Sequence, residues 1–116
     1  MANISIYHNP RCSKSRQTLA LIEERGIDPD IILYLDQPPT TTALKAVLTK
    51  LGISARELLR KGEADYKALK LADESLSDAA LIKAMCQAPK LIERPIVIKG
   101  NKAVLGRPPE NVLALL

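Results

Sequence analysis

The chain of 116 residues is 47% hydrophobic and 26% charged, with a net charge of +4 from 17 basic and 13 acidic residues. That size favours one domain with one core, read as residues 1–116, and with no Phe or Trp and 3% aromatics the core must be aliphatic. The shortage of aromatics argues against single-stranded nucleic-acid binding, which uses aromatic stacking platforms, and no run approaches the ~20 apolar residues of a membrane span.

The N-terminus shows no charged region followed by an apolar one, so no signal peptide is visible. The expectation is a cytoplasmic monomer with no nucleic-acid or membrane partner. In that compartment thiols stay reduced. Cysteines at positions 12 and 86 do not make a disulfide framework. With His8 the single histidine, they do not make a zinc site either, and no bound metal or cofactor is expected.

In chain order, residues 4–7 read as a short buried strand. Residues 13–25 read as a helix with Leu19 and Ile22 on one face and Gly26 as its stop. Residues 31–35 (Ile31-Ile32-Leu33-Tyr34-Leu35) are continuously apolar, which suits a central parallel strand. Leu44, Val47, Leu48 and Leu51 follow helical spacing up to Gly52. Ser54 and Glu57 have capping-box spacing ahead of Leu58 and Leu59. Residues 61–76 are polar with scattered apolar positions and give no firm pattern. Ser77 caps a helix that Pro89 stops. Two apolar runs, 96–98 and 103–105, flank Gly100-Asn101 and read as a β-hairpin. Pro108-Pro109 opens a last helix with Val112, Leu113 and Leu116 facing inward. The order is β-α-β, a helical insert, then β-β-α. It predicts an α/β, thioredoxin-like fold: a four-stranded mixed sheet flanked by helices.

In that architecture the first β-α turn carries the reactive cysteine, and Cys12 falls there. A helix start offers unpaired N–H groups and a positive dipole end. Both favour a thiolate over a thiol, and the thiolate is the nucleophile. The same N–H groups can cradle a tetrahedral oxyanion, here beside Arg11, Lys14 and Arg16. Three residues on stands Ser15, so the loop cannot close its own disulfide and a second thiol must come from elsewhere. His8, at the end of the first strand, faces the same loop; if charged, it would favour the thiolate. Arg94 and Arg107 each precede a proline, which holds them extended. Cys86, on a helix beside Met85, reads as a core filler. Glu57, Asp65 and Glu93 could pair with the arginines but read as surface positions, and Tyr7 and Tyr34 should pack near the sheet.

The run Tyr7-His8-Asn9-Pro10-Arg11-Cys12-Ser13-Lys14-Ser15-Arg16 resembles the active-site loop of the glutaredoxin-coupled arsenate reductases. So do Ile32-Leu33-Tyr34-Leu35, Leu58-Leu59-Arg60-Lys61 and Glu93-Arg94-Pro95-Ile96-Val97, in register over essentially the whole chain, closest to the short YfgD-like branch of the family. The resemblance implies Cys12 as nucleophile, with His8 and Ser15 helping to lower its pKa. It implies Arg60, Arg94 and Arg107 as the oxyanion-binding arginines, and the bond from Arg94 to Pro95 as the cis-proline position. It further implies arsenate as substrate, glutathione as co-substrate and glutaredoxin as the protein partner. The better known members carry a C-terminal extension that this sequence lacks. They often carry a cysteine just before the third arginine, where this chain has Gly106; one protein thiol suffices for the glutaredoxin route, so little is expected of that change.

Two other readings compete. Spx-type regulators share the fold and bind RNA polymerase, but they typically use Cys-x-x-Cys as a switch, and Ser15 argues against that. A glutathione-linked thiol oxidoreductase acting on another substrate is the third reading.

Overall fold

The computed structural model describes residues 3–116. The elements run β1 (Ile4–Tyr7), α1 (Ser13–Glu24), β2 (Asp30–Ile32), α2 (Thr41–Leu51), α3 (Ala55–Leu58), α4 (Ala64–Ala68) and α5 (Asp78–Gln87). A short 3-10 turn at Pro89–Leu91 follows, then β3 (Ile96–Lys99), β4 (Lys102–Leu105) and a 3-10 helix at Pro109–Leu115. They fall into two compact units, one formed by the chain up to Gln37 together with Arg94–Leu116, the other by Pro38–Glu93.

The first unit holds a single sheet in the order β2-β1-β3-β4. β1 is parallel to β2 and antiparallel to β3, and β3 is antiparallel to β4. A parallel pair needs a crossover connection, and α1 supplies it. This is the mixed four-stranded sheet of a thioredoxin-like fold. On one side, Ile4, Ile6 and Val97 from the strands meet Ile22 from α1 and Val112 and Leu115 from the last helix in one aliphatic core. Each such side chain contributes roughly 1.5–3 kcal/mol of burial.

Two expectations are corrected here, for the 31–35 strand and for the last helix. The strand expected at 31–35 is shorter and lies at the sheet edge, not its centre. Ile31 and Leu33 are 47% and 38% exposed. After Ile32 the chain turns, with the N–H groups of Asp36 and Gln37 both donating to the Leu33 carbonyl. The turn drives Tyr34 into full burial, where its ring stacks on Tyr7 at 6.2 Å. Continuous apolarity therefore reflects an edge strand followed by an aromatic anchor. In the last helix, Pro109, Val112 and Leu115 are buried while Leu113 is exposed and Leu116 half-buried. A 3-10 helix has three residues per turn, so every third side chain shares a face, and the α-helical spacing assumed from sequence fails. In α1 the fully buried positions are Ser15, Thr18 and Ile22, and Leu19 is half-buried against the core.

The hairpin forms as expected, with Lys99 opposite Lys102 and a two-residue turn between them. Gly100 has φ 60° and Asn101 does not take a positive φ, so the turn follows the II′ pattern, which wants Gly first.

The second unit is helical and follows its caps. Thr40 accepts from the Ala43 N–H at the start of α2, and Ser77 from the Ala80 N–H at the start of α5. Ser54 and Glu57 complete a reciprocal capping box on α3. The polar stretch without a firm pattern contains the short helix α4. Leu44, Val47, Leu48, Leu58, Leu81, Met85 and Leu91 are buried, with α5 packed against α2 and α3. Among the described residues, no helix is long and apolar enough to cross a membrane.

Candidate active site

β1 ends at Tyr7, and five residues later Cys12 is the N-cap of α1, in extended conformation at φ −94° and ψ 123°. An N-cap side chain normally accepts from the N–H groups two and three positions into the helix. Here the capping atom is sulfur, which closes no side-chain cap hydrogen bond, and the first-turn N–H groups act on it through their charge. Burial pushes the Cys12 pKa up, but this is outweighed by the Ser15 N–H, the charge of Arg94, the Lys14 N–H and a hydrogen bond from the Arg94 side chain. The net result is a thiol held below its ordinary range, and the thiolate is the form these groups solvate.

The first turn of α1 contains no acidic residue, although acids there would stabilise the helix by about 0.3–1 kcal/mol each. It carries Lys14 and Arg16 instead. The helix start is thus arranged for a negative group at its end rather than for its own stability.

Ser15 ties this turn to the strand. Its Oγ lies 2.6 Å from His8 Nδ1 and accepts from the Asn9 N–H at 3.0 Å. The Asn9 carbonyl accepts from the Cys12 N–H at 3.0 Å, and Asn9 Oδ1 accepts from the Arg11 N–H at 3.0 Å. Arg16 Nη1 donates to the Pro10 carbonyl at 2.9 Å. Every residue from 8 to 12 except Pro10 is thereby pinned by its side chain or its peptide N–H, and Pro10 by its carbonyl.

His8 is buried, and burial lowers its pKa, reinforced by Arg16 and opposed by Glu23. The neutral imidazole is favoured, which differs from the charged histidine considered from sequence. A buried ring beside an arginine loses more on protonation than it gains from a distant carboxylate. His8 acts on the loop through its hydrogen bond to Ser15.

The remaining arginines divide. Arg94 touches Cys12, and Arg107 Nη1 lies 3.4 Å from the Arg94 carbonyl. The Arg94–Pro95 and Arg107–Pro108 bonds are both cis. Arg60 belongs to the second unit. Its N–H donates to the Leu91 carbonyl at 2.8 Å and its guanidinium pairs with Glu63 at 2.9 Å. The partner is thus Glu63 and not Glu57, which is occupied by its capping box. Cys86, also in the second unit, is a half-buried free thiol whose pKa burial pushes up. Among the described residues, no group of His, Cys, Asp or Glu gathers as a metal site would need.

Two buried neighbours of the site escape a reading for reactive side chains. Thr18 is fully buried and donates from Oγ1 to the Lys14 carbonyl at 2.8 Å. Gly106 has no room for a side chain, since a Cβ there would lie 2.8 Å from Pro95 Cγ and 3.0 Å from Thr18 Cγ2. The signal for Thr18 was present: residues 15, 18 and 22 share a helix face, and two polar residues on a buried face need partners.

The ArsC family pattern matches residues 7–115. The chain is 55% identical over 114 residues to the uncharacterized protein YfgD of Escherichia coli K12, covering 97% of this chain and 96% of that one. It is 50% identical over 115 residues to the arsenate reductase of Haemophilus influenzae, covering 98% and 99%. The structure of an arsenate reductase from Vibrio cholerae superposes with a TM-score of 0.96 at 51% identity, covering 99% of this chain and 98% of that one. A thiol capping a helix beside a cis-prolyl arginine, in a sequence matched from end to end, places the chain in the ArsC family.

Proposed function

We propose that this protein reduces arsenate to arsenite with Cys12 as nucleophile and glutathione and glutaredoxin as reductants. The observation that carries the reading is the Cys12 sulfur at the N-cap of α1, where the Lys14 and Ser15 N–H groups and Arg94 favour the thiolate. The names of the H. influenzae and V. cholerae relatives support the choice of oxyanion.

Arsenate is a tetrahedral anion, and forked, permanently charged guanidinium groups suit it. Arg94 and Arg107 are read as its ligands, and the family resemblance adds Arg60. The Cys12 thiolate attacks arsenic(V) and an oxygen leaves as water, giving a thiol–arsenate adduct. A glutathione thiolate then attacks the Cys12 sulfur. The sulfur–arsenic bond breaks with its electron pair going to arsenic, so arsenite leaves and a Cys12–glutathione disulfide remains. Glutaredoxin attacks the glutathione sulfur and frees Cys12. Ser15 supports this route over an internal disulfide, since the loop has no second thiol to attack Cys12. The reaction is read as cytoplasmic, where glutathione is reduced, and carried out by a monomer.

The test is arsenite production from arsenate with glutathione and glutaredoxin. Wild type is expected to turn over, and Cys12→Ser to lose all turnover while keeping its circular dichroism spectrum. Activity retained in that variant, or absent from the wild type, would sink the reading.

A further inference from the structure

Cys12 is stabilised from two directions, and one buried contact joins them. From α1 come the N–H groups of Lys14 and Ser15; from the segment before β3 comes the Arg94 guanidinium. Thr18 lies between. Its Oγ1 donates to the carbonyl of Lys14 at 2.8 Å and also faces the carbonyl of Gly106 at 3.4 Å. One hydroxyl proton serves two acceptors unequally, the short arm within the helix and the long arm across to the strand end. The N–H of Gly106 in turn donates to the carbonyl of Pro95 at 3.0 Å. Pro95 follows Arg94, and Arg107, next after Gly106, reaches back to the Arg94 carbonyl.

The contact is also tight. A Cβ on Gly106 would strike Thr18 Oγ1, Thr18 Cγ2 and Pro95 Cγ together. Thr18 and Gly106 are both buried, so water cannot replace the hydroxyl cheaply. A threonine bonded to the carbonyl four residues back gives a helix little, and can even weaken it. Its placement here makes sense as a spacer with a polar edge, set between the helix turn that binds sulfur and the loop pair that carries the arginines.

We propose that Thr18, seated on Gly106, is a positioning residue that fixes the first turn of α1 and the Arg94-Pro95 segment at the separation where both reach the Cys12 sulfur. The absence of a side chain at Gly106 belongs to the same device, which gives this departure from the longer family members a role in setting the thiol. The proposal goes beyond arsenate reduction, because it concerns the acidity of a thiol whatever its substrate.

The test measures alkylation of Cys12 by iodoacetamide against pH, located by peptide mass so that Cys86 is read separately. Thr18→Val keeps the shape and removes the hydroxyl. It is expected to shift the Cys12 profile to higher pH and slow alkylation at neutral pH roughly three- to tenfold, the size of one lost buried hydrogen bond. Thr18→Ser is expected to restore the profile, and the Cys86 rate to stay fixed in both. Gly106→Ala, which forces Thr18 and Pro95 apart, is expected to shift Cys12 in the same direction, and it decides the matter if Thr18→Val does not fold. A Cys12 profile unchanged in folded Thr18→Val or Gly106→Ala, even with a lowered melting temperature, would overturn the proposal and leave Thr18 as packing alone.

Discussion

The two thiols of this chain sit in opposite electrostatic settings. Cys12 caps the start of α1 and its pKa is lowered; Cys86 lies in the last turn of α5 and its pKa is raised. Both are half-buried, so burial does not separate them. At Cys12 burial is overcome by two peptide N–H groups and a guanidinium; at Cys86 burial itself sets the direction of the shift. A helix start presents donors, whereas the last turn presents carbonyls. The lesson is that a reactive cysteine is made by what meets the sulfur.

The strongest way to break this contrast is Arg94→Ala. Removing a charged hydrogen-bond donor from a partly buried site costs about 1.5–3 kcal/mol, so alkylation of Cys12 at neutral pH should slow roughly tenfold or more while Cys86 is unaffected. Arg94→Lys should fall between, since it keeps the charge and loses the fork. Equal rates in wild type and Arg94→Ala would remove Arg94 from the account.

A smaller effect concerns the strand side of the loop. The folded-state pKa of His8 lies below its ordinary 6.5. The unfolded chain therefore binds more protons as pH falls, and the stability held by neutral His8 is complete above about pH 6.5 and lost as pH drops through the folded value. Melting temperature should decline over that acid range, and His8→Asn should flatten the decline. A slope unchanged in that variant would mean that carboxylates alone set it.

The smallest effect belongs to the second unit. The Arg60–Glu63 pair has side chains 23% and 26% exposed, so Glu63→Gln should cost less than about 1 kcal/mol in thermal or urea unfolding. A larger loss would show that this pair is a structural anchor of its unit.

Much of this was legible in the sequence. The strand-turn-helix around Cys12, the caps at Ser54 and Ser77 and the hairpin at Gly100-Asn101 are local signals, and local chemistry fixes them. What failed was set at longer range. Leu33 to Leu35 read as strand because apolarity alone cannot separate a buried strand from a turn that buries Tyr34. Leu113 read as inward because helical spacing was assumed where a 3-10 helix formed. Thr18 and Gly106 carry no reactive group, and only their contact, 88 residues apart in sequence, reveals what they do. The charge state of His8 depended on Arg16 and on burial, neither visible in its neighbours along the chain.

The contrast between the two thiols is measured by the pH dependence of iodoacetamide alkylation at Cys12 and Cys86 in the same sample of wild-type protein. Cys12 is expected to titrate below the ordinary thiol range and Cys86 above it, so that Cys12 reacts at least roughly tenfold faster at neutral pH. Coincident midpoints, or a faster Cys86, would contradict that contrast.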